Sequence, residues 1–142
     1  MTIAPSTLSA LVAPAAASRL RAVRVGDLLP PRLIERRARR IDATAFVLPG
    51  SAPIPAYLHA LEAAAADFAA WDGRIAPLEP DGELMQRLVI ADRYGQVYAV
   101  FDAEDAAGLP DAEALEAWFR FLATACPECG VLDDPIGRNW VP

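Results

Sequence analysis

The stretch Ala43-Thr44-Ala45-Phe46-Val47-Leu48, closed by Pro49-Gly50 and followed by Ser51-Ala52-Pro53-Ile54, decides how this chain is read. A short, almost wholly apolar run rich in strand formers and ended by a Pro-Gly break fits a strand buried on both faces. Such a strand is read as the central strand of a sheet.

Downstream of it, Ile54, Leu58, Leu61, Ala65 and Phe68 recur at three- and four-residue spacing, with Tyr57, Ala64 and Trp71 widening the stripe. Pro53 and Pro55 stand at the entrance of the helix this predicts. Asp72-Gly73 then turns the chain into a second short strand, Ile75 to Leu78, which is left through Pro80-Asp81-Gly82. A right-handed crossover through the helix makes the two strands parallel. Leu88 to Ala91 and Gln96 to Phe101 flank Asp92-Arg93-Tyr94-Gly95, where Gly95 can take the positive φ of a turn, so this pair is expected to be an antiparallel hairpin. Pro110, Asp111 and Glu113 open a last helix whose apolar face is Leu115, Trp118, Phe119 and Leu122. Pro127 biases Cys126 away from helical dihedrals, which ends that helix near Ala125.

Upstream, Arg21 to Val25 alternates weakly, and Gly26-Asp27 with Pro30-Pro31 marks a turn leading into a short helix through Ile41. Residues 1–20 show no sustained period and are expected to form an N-terminal arm. The expected division is therefore an arm over 1–20, a folded domain over 21–126 and a tail over 127–142.

A chain of 142 residues with 54% hydrophobic content can bury one substantial core, and a single domain is expected. A net charge of −6 argues against a general nucleic-acid binder, which needs a concentrated positive face. The clustered Arg32, Arg36, Arg37, Arg39 and Arg40 are read as a solvated face rather than an anion site. No apolar run approaches the roughly 18 residues of a membrane span, and the alanine-rich start lacks a basic region before it, so no membrane association is expected. All 13 basic residues are arginine, which removes lysine Schiff-base chemistry and the phosphate-loop lysine. Two closely spaced cysteines do not make a secreted disulfide scaffold, and a cytoplasmic location is the expectation.

The order strand, helix, strand, hairpin, helix resembles a thioredoxin-like domain. Two strings deepen the likeness. Val25-Gly26-Asp27-Leu28-Leu29-Pro30 resembles the lead-in of the redoxin and peroxiredoxin family, and Leu88-Val89-Ile90-Ala91-Asp92-Arg93-Tyr94-Gly95-Gln96-Val97 resembles its hairpin. The likeness runs from about Val25 to Ala125. It implies an α/β fold with a mixed central sheet, and a reactive cysteine or CxxC pair where the first long strand meets its helix. That junction here reads Ser51-Ala52-Pro53-Ile54, with serine and isoleucine where the cysteines would stand. Serine stays protonated without a base, and the lone His59 lies two turns along the same helix, so Ser51 is read as a helix cap or turn residue.

The remaining candidate chemistry is Cys126-Pro127-Glu128-Cys129. Three readings stay open: a thiol–disulfide or sensing pair, a zinc half-site completed by Cys126 and Cys129 of a second copy in a homodimer, or small apolar residues without chemistry. A helix C-terminus beforehand, with Glu128, Asp133 and Asp134 around the pair, disfavours thiolates and makes slow attackers; Arg138 offsets part of this. The carboxylates of Asp92, Asp102, Asp105 and Asp111 near the hairpin are better explained by turns and a helix start than by a metal. Trp118, Phe119 and Phe121 cannot all face the core, so one is expected to be exposed, and Trp140 is read as covering either the core or a partner; a surface for an unknown protein partner stays an open reading. Two functions follow: a redox-sensing thioredoxin-like protein acting through Cys126 and Cys129, or a non-catalytic dimeric binding module, with or without zinc.

Overall fold

The computed structural model describes residues 16–30, Leu33 and residues 42–125. Its frame is a four-stranded mixed sheet in the order β2-β1-β3-β4, formed by β1 (Ala43–Leu48), β2 (Gly73–Pro77), β3 (Gln86–Ala91) and β4 (Val97–Ala103). β1 pairs with β2 in parallel, from Ala43 opposite Gly73 to Val47 opposite Pro77. β3 lies antiparallel to β1, and β4 antiparallel to β3, with a bulge between Ile90 and Ala91. Helix α1 is described over residues 16–22; α2 (Pro55–Ala63) and α3 (Ala65–Ala69) cross from β1 to β2, and α4 (Ala112–Thr124) follows a single 3-10 turn at Ala106–Gly108.

All six residues of β1 are buried because the strand serves two cores. Ala43, Ala45 and Val47 face the layer of α2, α3 and α4, where Leu61, Phe68, Leu115 and Phe119 are closed off from solvent. Phe46 and Leu48 face the opposite side, covered by Ala16, Ala17, Leu20, Val23, Leu29 and Leu33. The central position of β1, its parallel pairing with β2 and the antiparallel β3–β4 hairpin agree with what the sequence predicts; the antiparallel pairing of β1 with β3 is a finding of the structure. Thr44 is the one polar side chain of the strand, and its Oγ1 is buried with no hydrogen-bond partner among the described residues.

Three expectations change. Residues 16–20, assigned to an arm, are helical, and Leu20 is fully buried, because α1 is the lid of the second core. The single helix expected from Ile54 to Trp71 is two helices, broken at Ala64, whose N–H is shared between the carbonyls of Ala60 and Leu61. The break delivers Phe68 edge-on to Phe119, with ring centroids 5.2 Å apart. Gly73 makes room for this pair: a Cβ there would come within 2.3 Å of the Phe119 ring. Both strands of the hairpin extend beyond the apolar runs, to Gln86 at one end and Ala103 at the other. The short helix expected through Ile41 lies largely outside the described residues.

The hairpin turn forms as its composition requires, with Gly95 at φ 88° and Asp92 Oδ1 accepting from the N–H groups of Tyr94 and Gln96. The segment 26–29 lies against it. Gly26 donates to the Val97 carbonyl at 2.8 Å, Val97 to Asp27 at 2.8 Å and Leu29 to Gly95 at 2.9 Å. No helix among the described residues is long and apolar enough to cross a membrane.

Candidate functional site

The junction between β1 and α2 is held from three directions. β1 ends against Pro49-Gly50, and Gly50 passes so close to the 84–85 backbone that a Cβ would sit 2.5 Å from the Leu84 carbonyl oxygen. Glycine is needed for that approach. The Gly50 N–H donates to Oε1 of Gln86 at 2.6 Å, and Gln86 Nε2 donates back to the Ala52 carbonyl at 2.6 Å, with the Glu104 carbonyl 3.4 Å away. Gln86 is 0% exposed. A buried primary amide keeps its place only when its donor and acceptor are both used, and here they stitch the junction to β3.

Arg21 closes the same loop from α1. Its Nε and Nη2 meet the two carboxylate oxygens of Asp81 at 2.9 and 2.8 Å, while Nη1 donates to the Met85 carbonyl at 2.6 Å and Nη2 to Pro49 at 3.3 Å. The planar fork of the guanidinium suits this bidentate pair. The hydrogen bonds from Arg21 hold the Asp81 carboxyl below the usual carboxylate range; partial burial opposes the shift and the Glu83 N–H adds to it. Neither Arg21 nor Gln86 carries a local sequence signal, because their partners lie 28 to 64 and 18 to 36 residues away.

Within this loop Ser51 is exposed, and its hydroxyl reaches only the Leu84 carbonyl, at 3.5 Å. It is a bend residue and not the helix cap: α2 is capped at Ile54 without a side-chain hydrogen bond, and Pro55 occupies its first turn. Ile54 is 5% exposed and belongs to the core beneath α2. Among the described residues neither His59 nor any carboxylate hydrogen-bonds to Ser51. The junction thus holds no activated nucleophile among the described residues.

The four aspartates near the hairpin each have a structural task. Asp102 pairs with Arg87 at 2.8 Å, Asp105 accepts from the Ala107 N–H and Asp111 caps α4 through the Ala114 N–H, alongside the turn role of Asp92. Among the described residues no group of three or more His, Cys, Asp or Glu side chains is arranged to hold a metal. Cys126 and Cys129 lie outside the described residues, as do Arg32, Arg36, Arg37, Arg39, Arg40 and Trp140. Of the aromatic trio, Phe119 is buried, whereas Trp118 and Phe121 are half-buried and meet edge-to-face, with Tyr98 of β4 on the other side of Phe121. Tyr57 donates its hydroxyl to the Pro110 carbonyl at 2.7 Å, which ties α2 to the start of α4; burial, and then the charge of Asp111, push its pKa upward.

Among the described residues a further concavity lies elsewhere, along the outer edge of β2. It is a groove of about 500 Å³ with Leu58, Leu61, Phe68 and Ile75 in its walls. The carboxylates of Asp42, Glu62 and Asp72 also line it, and Arg74 is the one cation among the described residues of its wall. No sequence signal pointed here, because the groove is assembled from residues whose individual periodicities are those of ordinary core and surface. No family model matches the chain, and no curated protein or solved structure is significantly similar to it.

Proposed function

We propose that the chain is a thioredoxin-like binding module without catalytic activity, in which the junction that would carry a redox centre acts as a structural clamp. The observation that carries this reading is the buried Gln86 amide, bonded to Gly50 and Ala52 on either side of Ser51. A redox-active junction needs an accessible thiolate at a helix N-terminus with free N–H groups toward it. Here a serine stands three residues before the cap, and the second position, Ile54, is packed into the core.

The thioredoxin-like part of the proposal is supported by the parallel β1–β2 pair crossed over by helices, the antiparallel β3–β4 hairpin and the closing α4. It is also supported by the pairing of the two family-like strings: Leu28 bridges Gln96, and the segment 26–29 is hydrogen-bonded to Gly95 and Val97.

Insulin-disulfide reduction and peroxide consumption, measured for the wild type and for the Cys126→Ser, Cys129→Ser double variant, test the reading. Both proteins are expected to run at the buffer rate. A wild-type rate above buffer that the double variant abolishes replaces this reading with an accessory thiol pair at Cys126 and Cys129. Native mass spectrometry of freshly purified, alkylated protein reports whether zinc or a second copy accompanies those cysteines.

A further inference from the structure

The pairing register of β2 determines which of its backbone groups are free. Ala43 N–H donates to the Asp72 carbonyl and Leu78 N–H to the Val47 carbonyl, so Asp72, Arg74, Ala76 and Leu78 direct their backbone groups at β1. The alternate residues Gly73, Ile75 and Pro77 direct theirs outward, where no described strand pairs with them. Gly73 and Ile75 each offer an N–H and a carbonyl there; Pro77 offers a carbonyl only. This open edge borders the groove of about 500 Å³ whose apolar walls include Leu58, Leu61 and Ile75. Among the described residues its charged lining is unbalanced, with Asp42, Glu62 and Asp72 against Arg74, and Asp42 and Asp72 stand at the N-terminal ends of β1 and β2.

We propose that this groove receives an extended segment of a partner protein, carrying alternating apolar and basic side chains, which adds to the sheet as a fifth strand beside β2. The inference rests on the reading of the chain as a binding module and assigns that module its surface and partner class. The outward N–H and carbonyl groups of Gly73 and Ile75 supply main-chain bonds, which carry affinity independently of side chain. Side chains on the helix-facing side of the added strand enter the apolar groove between α2, α3 and β2. Basic residues, alternating with these, answer Asp42 and Asp72 at the strand ends, which with Glu62 disfavour an acidic segment by like-charge repulsion. Five residues of β2 match a guest of about the same length, roughly 17 Å when extended.

The probe is a blocked hexapeptide alternating valine and arginine, titrated into isotope-labelled full-length protein. Saturable shifts and slowed hydrogen exchange at the Gly73 and Ile75 amides are expected. A peptide with glutamate in place of arginine is expected to give neither. N-methylation of alternate peptide amides is expected to weaken binding about tenfold or more. The Asp42→Asn, Asp72→Asn double variant is expected to weaken it roughly fivefold; asparagine suits position 72, where φ is 55°.

Absence of shifts at Gly73 and Ile75, equal binding of the N-methylated peptide, or equal binding of the glutamate peptide each overturns the proposal. The thiol assay is read separately. Catalytic disulfide exchange with intact peptide binding at β2 would remove the non-catalytic reading and leave this surface standing, and the reverse pair of results would do the opposite.

Discussion

Gln86 lies wholly inside the protein with its amide bonded to Gly50 on one hand and Ala52 on the other, so one side chain of β3 secures the loop that leads from β1 into α2. Replacing Gln86 with Ala strands the Gly50 N–H and the Ala52 carbonyl without partners. An unpaired buried polar group costs about 1–3 kcal/mol, and two are left here. Urea unfolding of Gln86→Ala is therefore expected to show a loss of roughly 2–4 kcal/mol. A loss within experimental error would mean that the amide does not hold the junction.

The Arg21–Asp81 pair should appear in the acid limb of the stability profile. Hydrogen bonds from Arg21 depress the folded-state pKa of Asp81. A depressed carboxylate stabilises the fold above its unfolded value of about 3.9 and loses that contribution as pH falls through the lower folded value. Arg21→Met retains an apolar stem and removes the guanidinium. Its thermal unfolding is expected to decline less steeply than that of wild type below about pH 4. Parallel declines would contradict this role.

Asp92 carries the opposite sign. Burial raises its pKa, against the N–H groups of Gln96, Tyr94 and Gly95 and the charge of Arg93. The folded state then binds the proton more readily than the unfolded chain, so the penalty of the charged form is full above the raised folded value and relieved as pH falls through it. Asp92→Asn keeps an oxygen for the Tyr94 and Gln96 N–H groups and has no charge to bury. Any advantage of Asp92→Asn in thermal midpoint is expected to be largest near neutral pH and to shrink as pH falls toward about 4. A pH-independent difference would contradict it.

Thr44 offers a stabilising change. Its Oγ1, in the strand that divides the two cores, is buried without a partner among the described residues. Thr44→Val replaces that hydroxyl with a methyl of similar size, and a gain of about 1 kcal/mol is expected, seen as a rise of a few degrees in the unfolding midpoint. A fall in the midpoint would show that the hydroxyl is satisfied.

The relation between these features and the sequence has a physical pattern. β1 was legible to its end residues because a strand facing two cores must be apolar at every position. The hairpin was legible because Asp92 and Gly95 perform local tasks that their residue types announce. The break at Ala64 was not, since it falls within Ala63 to Ala66, four identical side chains with no preference to display. α1 was missed for a similar reason: Ala16 and Ala17 are buried as small residues against the sheet, without the large apolar stripe by which a helix is recognised.

The candidate site was legible only as a place. That serine and isoleucine stand at positions 51 and 54, where the resembled family carries cysteines, could be read directly, whereas the clamp could not. Gln86 and Arg87 made the start of β3 look polar, and the need for a buried glutamine arises from backbone groups of a loop far away in sequence. The groove beside β2 depends on how α2 and α3 sit over the sheet edge, which no local pattern encodes.

The thiol pKa of Ser51→Cys, introduced into the Cys126→Ser, Cys129→Ser background and followed by pH-dependent alkylation, tests the claim of a non-catalytic junction most directly. Position 51 lies three residues before the α2 cap and faces the Leu84 carbonyl. The expected value is the ordinary one, about 8.5 or above. A value below about 7 would show that the junction stabilises a thiolate as a redox centre does, and would contradict the account.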